Sequence, residues 1–178
     1  MPFGRAGNGN FSGDTMFFRN DQFPFTARLE QGWESVLDEC LALPHADFDA
    51  WPETGLYNRG WDVYGLVLEG RPMLENAIFC PRTLALLGCI PGLVTAGFSR
   101  LAPGTEIAPH VGYTDRVLRL HLGLRSSPDC ALRVGTAVRH WQPGRCLVFD
   151  DTQEHAAWNR GATDRLVLLV DFTKPDGV

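Results

Sequence analysis

From Phe25 to Leu43 the apolar positions Phe25, Leu29, Trp33, Val36, Leu37, Cys40 and Leu41 recur in steps of three and four, the spacing of one face of an amphipathic helix. Pro44 closes that pattern, because its ring removes a backbone donor and clashes with the preceding turn. A weaker helical signal covers Thr83 to Leu87 and stops at Gly88 and Pro91. The other patterned segments are short apolar or alternating runs: Val63 to Leu68, Val94 to Leu101, Val117 to Arg125, Leu132 to Val138, Cys146 to Phe149 and Leu166 to Phe172. Pro103-Gly104, Ser127-Pro128, Pro143-Gly144 and Gly161 punctuate them. Many short strands separated by turn residues predict a mainly β chain folded as a sandwich or closed barrel, with one or two flanking helices. Leu118, Leu120, Leu122 and Leu124 alternate with Arg119, His121 and Gly123, so a strand here directs Arg119 and His121 to one face.

With 178 residues, 44% apolar side chains and a formal charge of −5, the chain has the size and composition of one globular domain. Met1 to Gly13 is Gly/Asn-rich and reads as a flexible terminus, which leaves residues 14–178 as the folded unit. No run reaches the roughly 18 apolar residues that span a bilayer, and the N-terminus lacks a secretory apolar core. The expectation is a cytoplasmic protein with no membrane partner. Cys40, Cys80, Cys89, Cys130 and Cys146 form no C-x-x-C pair and are odd in number, so they read as small apolar side chains rather than a disulfide framework. Without a basic stripe, a nucleic-acid partner is not expected. Lys174 is the only lysine among 16 cationic residues, so an arginine carries information here through its position.

His110, at the end of a predicted strand, and His155, just past the run Cys146 to Phe149, flank the β-rich segment, and Arg165 follows ten residues after the second. That arrangement suggests a metal inside a barrel and a cation for an acidic co-substrate. Alone, each histidine reads as a core or surface residue. Asp151, four residues before His155, either orients an imidazole through its ring N–H or belongs to a strand-ending turn with Asp150 and Thr152. Two inward arginines without anions would be costly, so an inward Arg119 and Arg165 predict acidic ligands. Gly97-Phe98-Ser99-Arg100 does not make the Gly-x-Ser-x-Gly elbow of a hydrolase.

Pro103-Gly104-Thr105, Pro109-His110-Val111-Gly112, Arg119-Leu120-His121-Leu122-Gly123-Leu124, Arg133-Val134-Gly135, Trp141, Gly144, Phe149-Asp150-Asp151-Thr152, Glu154-His155, Ala157-Trp158-Asn159, Arg165 and Asp171 follow one another in an order that resembles the aspartyl/asparaginyl β-hydroxylase family. The resemblance runs from about Gly60 to Phe172 and is absent before Trp51. It implies a double-stranded β-helix, the jelly-roll or cupin-like barrel, and a dioxygenase using iron(II), 2-oxoglutarate and O₂. It makes His110 and His155 the iron ligands and puts Gly112 where related oxygenases carry a third, carboxylate ligand. The hydroxylases of this family share that gap. Gly112 also fits a turn needing positive φ. By the same resemblance Arg165 and Ser99 bind the distal carboxylate of 2-oxoglutarate, Arg119 and His121 lie around its other carboxylate and the substrate, and Trp61 borders the site. The family's additional arginine near the substrate has its nearest counterpart in Arg116, one position out of register. The implied reaction is hydroxylation of an unactivated carbon, the β-carbon of an aspartate- or asparagine-like group, in a small free or carrier-bound amino acid or a short peptide. Two rivals stay open: a non-catalytic barrel with His110, His121 and His155 as zinc ligands, and an iron-dependent halogenase with chloride in the room left at Gly112.

Overall fold

The computed structural model describes residues 16–178, so the expectation of a flexible segment over residues 1–13 lies outside the described residues. In chain order the strands and α-helices are β1 (Phe17–Phe18), α1 (Thr26–Ala42), β2 (Asp49–Ala50), β3 (Trp61–Leu68), β4 (Arg71–Pro72), α2 (Leu74–Ala77) and α3 (Pro81–Leu87). Nine-residue β5 (Leu93–Leu101) follows, then β6 (Glu106–His110), β7 (Val117–Arg125), β8 (Cys130–Val134), β9 (Ala137–Arg139), β10 (Cys146–Phe149), β11 (His155–Asn159) and β12 (Arg165–Thr173).

All pairings are antiparallel and fall into two sheets. The major sheet has the order β1-β10-β7-β12-β5-β3-β2 with β4 on β3, and the minor sheet has the order β6-β11-β8-β9. One face of the major sheet carries Leu118, Leu120, Leu122, Leu168, Val170 and Phe172 into a core shared with Leu29, Val36 and Cys40 of α1. Its other face meets the minor sheet, where Trp61, Leu101, Val167 and Leu169 pack with Ile107, Leu132, Val134 and Ala157. Two sheets closed face to face, with helices on the outside of one, make the jelly-roll barrel that the sequence led us to expect.

Buried and half-buried polar side chains tie the helices down. Glu30 of α1 accepts from the backbone N–H of Cys146 (2.9 Å) and the Asn20 amide (3.0 Å). Glu39 accepts from the backbone N–H groups of Arg82 (2.9 Å) and Thr83 (2.8 Å) and from the Thr83 hydroxyl (2.7 Å), so one carboxylate caps the start of α3. Burial raises the Glu39 pKa, but these hydrogen bonds outweigh it and hold the carboxyl below its usual range.

One local expectation changes, and two elements appear that the pattern did not announce. The single run Leu132 to Val138 is a hairpin, β8 and β9, bent at Gly135 with φ of 54°. A Cβ at Gly135 would stand 2.9 Å from the Met16 sulfur, so both dihedral and space favour glycine. His155 lies past β10 as expected and opens a strand of its own, β11. The short α2 escaped the periodicity because four residues make one turn.

Candidate active site

His110 ends β6 and His155 begins β11, and the two are direct cross-strand partners. Their ring centroids lie 4.2 Å apart with planes inclined by 53°. The Nδ1 of His110 sits 2.8 Å from the carbonyl oxygen of Ala108, and the Nδ1 of His155 sits 2.9 Å from that of Gln153. A carbonyl only accepts, so both Nδ1 atoms carry the proton and both Nε2 atoms keep a free lone pair. Burial, with the neighbouring His110, pushes the His155 pKa down to about 4, although the Gln153 carbonyl opposes it, so this imidazole is neutral at physiological pH. Two imidazoles side by side on paired strands, each with Nδ1–H held by a backbone carbonyl, leave two Nε2 atoms as the donor atoms for a divalent metal.

The predicted face of β7 is the inward one, and Arg119 and His121 both line the cavity. They do different things there. Arg119 is satisfied within the chain: Asp171, its cross-strand partner on β12, accepts from Nε and Nη2 at 2.8 and 2.9 Å, and Asp151 lies 3.3 Å from Nη2. Arg119 therefore needs no outside anion, which corrects the expectation that both inward arginines call for one. His121 accepts at Nδ1 from the Trp141 indole N–H (3.2 Å), so its proton resides on Nε2. That Nε2 is buried without a partner. Burial first, then the Arg165 and Arg119 charges, lower its pKa well below the ordinary value, so it stays neutral and presents an N–H donor to the cavity. A donor is not a ligand, which removes His121 from a three-histidine zinc site. Among the described residues no group of three or more His, Cys, Asp or Glu side chains is placed to hold a metal ion.

Arg165, at the first position of β12, is 2% exposed. Its guanidinium donates to the Ser99 carbonyl oxygen (3.3 Å) and lies 4.5 Å over the Trp141 ring, while Nε has no partner. Among the described residues no carboxylate pairs with it, and burial lowers its pKa to about 9. A cation in this setting is costly unless an anion joins it. Ser99 accepts from the Trp61 indole N–H (3.1 Å), which leaves its hydroxyl hydrogen to donate. Trp61 stacks on Trp51 at 4.2 Å, and the Phe149 ring wedges between His121 and His155. The cavity lined by Trp61, Ser99, the three histidines, Trp141 and Arg165 is narrow, with a volume of about 30 Å³.

Gly112 is not in the positive-φ region. A Cβ there would fall 2.5 Å from the Asp151 carboxyl carbon and Oδ2. Glycine is required by that carboxylate, which stands where a side chain at position 112 would begin. Of the two readings of Asp151 the strand-ending turn with Asp150 and Thr152 is the one seen, since His155 Nδ1 is taken by Gln153; Asp151 also pairs with Arg119, and its Oδ1 is buried without a partner. Burial, reinforced by Asp171 and Asp150, raises its pKa despite Arg119. Arg116 lies exposed on the loop before β7, away from the cavity lining. Tyr113 on the same loop donates a hydrogen bond to Glu53, a contact that no sequence pattern signals.

The family model for Aspartyl/Asparaginyl beta-hydroxylase matches residues 30–175. The chain belongs to that family. The match begins well before the resemblance legible by eye and takes in most of α1. The chain is 39% identical to the ornithine lipid ester-linked acyl 2-hydroxylase of Rhizobium tropici, over 86% of this chain and 58% of that protein. It is 35% identical to the human aspartate beta-hydroxylase domain-containing protein 2, over 90% of this chain and 47% of that one. The chain thus spans about half the length of these curated relatives. Among solved structures, a 2OG-Fe(II) oxygenase family oxidoreductase from Burkholderia pseudomallei superposes with a TM-score of 0.61 at 14% identity, covering 86% of this chain and 91% of that one. A Pseudomonas putida prolyl-4-hydroxylase gives 0.54 at 18% identity, covering 90% of each chain. These two confirm the fold.

Proposed function

We propose that this chain is an iron(II)- and 2-oxoglutarate-dependent hydroxylase of an unactivated carbon. The observation that carries the reading is the buried Arg165, without a carboxylate partner among the described residues, sharing one cavity with His110 and His155, whose rings lie 4.2 Å apart. The residues fit both groups. His110 and His155 would hold iron(II) through Nε2, and neutral nitrogen donors suit that ion. Arg165 would grip the far carboxylate of 2-oxoglutarate, with the Ser99 hydroxyl as a second donor. His121 Nε2–H supplies a third, fixed in place by the Trp141 indole.

When bound, iron and 2-oxoglutarate supply the oxidising power that activates O₂ against a C–H bond. The chain's share is positioning and electrostatics. Trp141 keeps His121 a donor, Asp171 and Asp151 neutralise Arg119 so that it does not compete for the co-substrate, and Asp151 Oδ1 is free to accept a hydrogen bond from water or substrate beside Gly112. The halogenase alternative needs room for chloride at that point, and a carboxylate fills it. The β-carbon of an aspartate-like group and the acyl carbon implied by the name of the Rhizobium protein are both sp³ positions near a carbonyl.

Anaerobic titration with iron(II) and 2-oxoglutarate should develop a visible charge-transfer band, and aerobic incubation should release succinate. Succinate no higher than in a His155→Ala control would overturn the reading.

A further inference from the structure

Trp61 opens β3 and stands diagonally across from Ser99 of β5, because Trp61 pairs with Leu101 and Val63 with Ser99. The segment between β2 and β3 holds that indole on several sides. Trp51 lies flat on it, with ring centroids 4.2 Å apart and planes inclined by only 2°. The Trp51 backbone N–H donates to the Trp61 carbonyl oxygen at 2.8 Å, so main chain and ring are fixed together. Tyr57 meets the Trp61 ring edge-on at 5.5 Å and donates its hydroxyl to the Trp51 carbonyl oxygen at 2.9 Å. Glu53 tethers the outer ring: one carboxylate oxygen accepts from the Trp51 indole N–H at 3.2 Å, and the other accepts from the Tyr113 hydroxyl.

A stack of this kind could serve packing alone. What sets it apart is where the inner indole spends its N–H, which goes to the Ser99 hydroxyl oxygen at 3.1 Å. Ser99 is 2% exposed and lines the cavity together with Arg165. A hydroxyl has a single hydrogen, and an incoming N–H on its oxygen restricts where that hydrogen can point. Among the described residues no acceptor takes it. An indole free to tilt would release the serine from the one hydrogen bond that orients it.

We infer that Trp51 is a positioning residue: stacked on Trp61 and tethered by Glu53, it fixes the indole that aims the Ser99 hydroxyl at the far carboxylate of the co-substrate. It does so without lining the cavity. The inference rests on the hydroxylase reading and adds to that site a residue that touches neither metal nor substrate.

The test is calorimetric titration of 2-oxoglutarate into the zinc(II)-loaded protein, which reads affinity without turnover. Trp51→Leu should raise Kd about five-fold, the scale of one hydrogen bond. Trp51→Phe, which puts a flat ring back on Trp61, should stay within about two-fold of the wild type. In a Ser99→Ala background Trp51→Leu should have almost no further effect, because the two changes remove the same contact. A residue that only supports the fold would add its loss in either background. Additive effects of Trp51→Leu and Ser99→Ala, an affinity unmoved by Trp51→Leu, or a Trp51→Phe variant no better than Trp51→Leu overturns the inference and leaves the oxygenase reading in place. A wild type that takes up no 2-oxoglutarate overturns that reading, and this inference with it. If Trp51→Leu does not fold, Glu53→Ala frees the Trp51 indole from outside the cavity and should raise Kd about two-fold only where Ser99 keeps its hydroxyl. The same Kd change in both backgrounds, or none in either, again overturns the positioning role.

Discussion

Taking the charge off position 165 probes the cavity most directly. Arg165→Met removes a buried cation that has no counter-ion, so the ligand-free protein should melt higher than the wild type. The same change should weaken 2-oxoglutarate at least about thirty-fold, the loss for truncating one partner of a buried charge pair. Thermal shift with and without 2-oxoglutarate reads both, and a variant that melts lower while still gaining from the ligand contradicts the role given to Arg165. Trp141→Phe keeps the apolar volume but removes the donor to His121 and weakens the ring face under Arg165. Its 2-oxoglutarate KM should rise about five-fold with a smaller effect on kcat. Gly112→Ala should sharply reduce activity, because the new methyl displaces Asp151 from Arg119; pairing it with Asp151→Gly should restore the melting temperature. Individual residues were legible in the sequence to different depths. His110, His155, Ser99, His121 and Arg165 are brought to one cavity, as the resemblance implied. That Asp171 would satisfy Arg119 was not readable, because it depends on the register of β7 against β12, two strands far apart in the chain.

At the scale of elements, the attachment of α3 depends on Glu39. Glu39→Gln loses charge-assisted bonds to two backbone N–H groups and a hydroxyl and should lower stability by about 1–3 kcal/mol. The Glu39 carboxyl is depressed in the folded protein, so its contribution is complete above the unfolded value near pH ~4.3 and fades as pH falls through the folded one. Denaturation of wild type and Glu39→Gln should therefore converge on acidification; a gap that widens there would refute the assignment. The long elements α1, β5, β7 and β12 announce themselves through sustained periodicity. Five-residue β6 and β11 do not, since one contains Pro109 and the other opens on a histidine; their extended form rests on pairing, β6 with β11 and β11 with both β6 and β8. The break between β8 and β9 hides behind apolar residues on both sides of Gly135.

For the whole molecule, the alternation of leucine with polar residues in β7 already separates a helix-covered face from a chemical one, which is why the barrel class was accessible without coordinates. Among the described residues all five cysteines are free and only Cys89 is not fully buried, in keeping with their reading as small apolar side chains. The place of β12 has a further consequence. It lies between β7 and β5 in the middle of the major sheet, yet it is the last strand in sequence. Neither half of that sheet has its neighbour until the ribosome has released residue 173, so the nascent chain must hold β5 and β7 apart with their inner edges unpaired. Force-profile measurements on stalled nascent chains should accordingly show a single late folding transition, and an arrested chain ending before Arg165 should be a client for chaperones rather than a partial barrel.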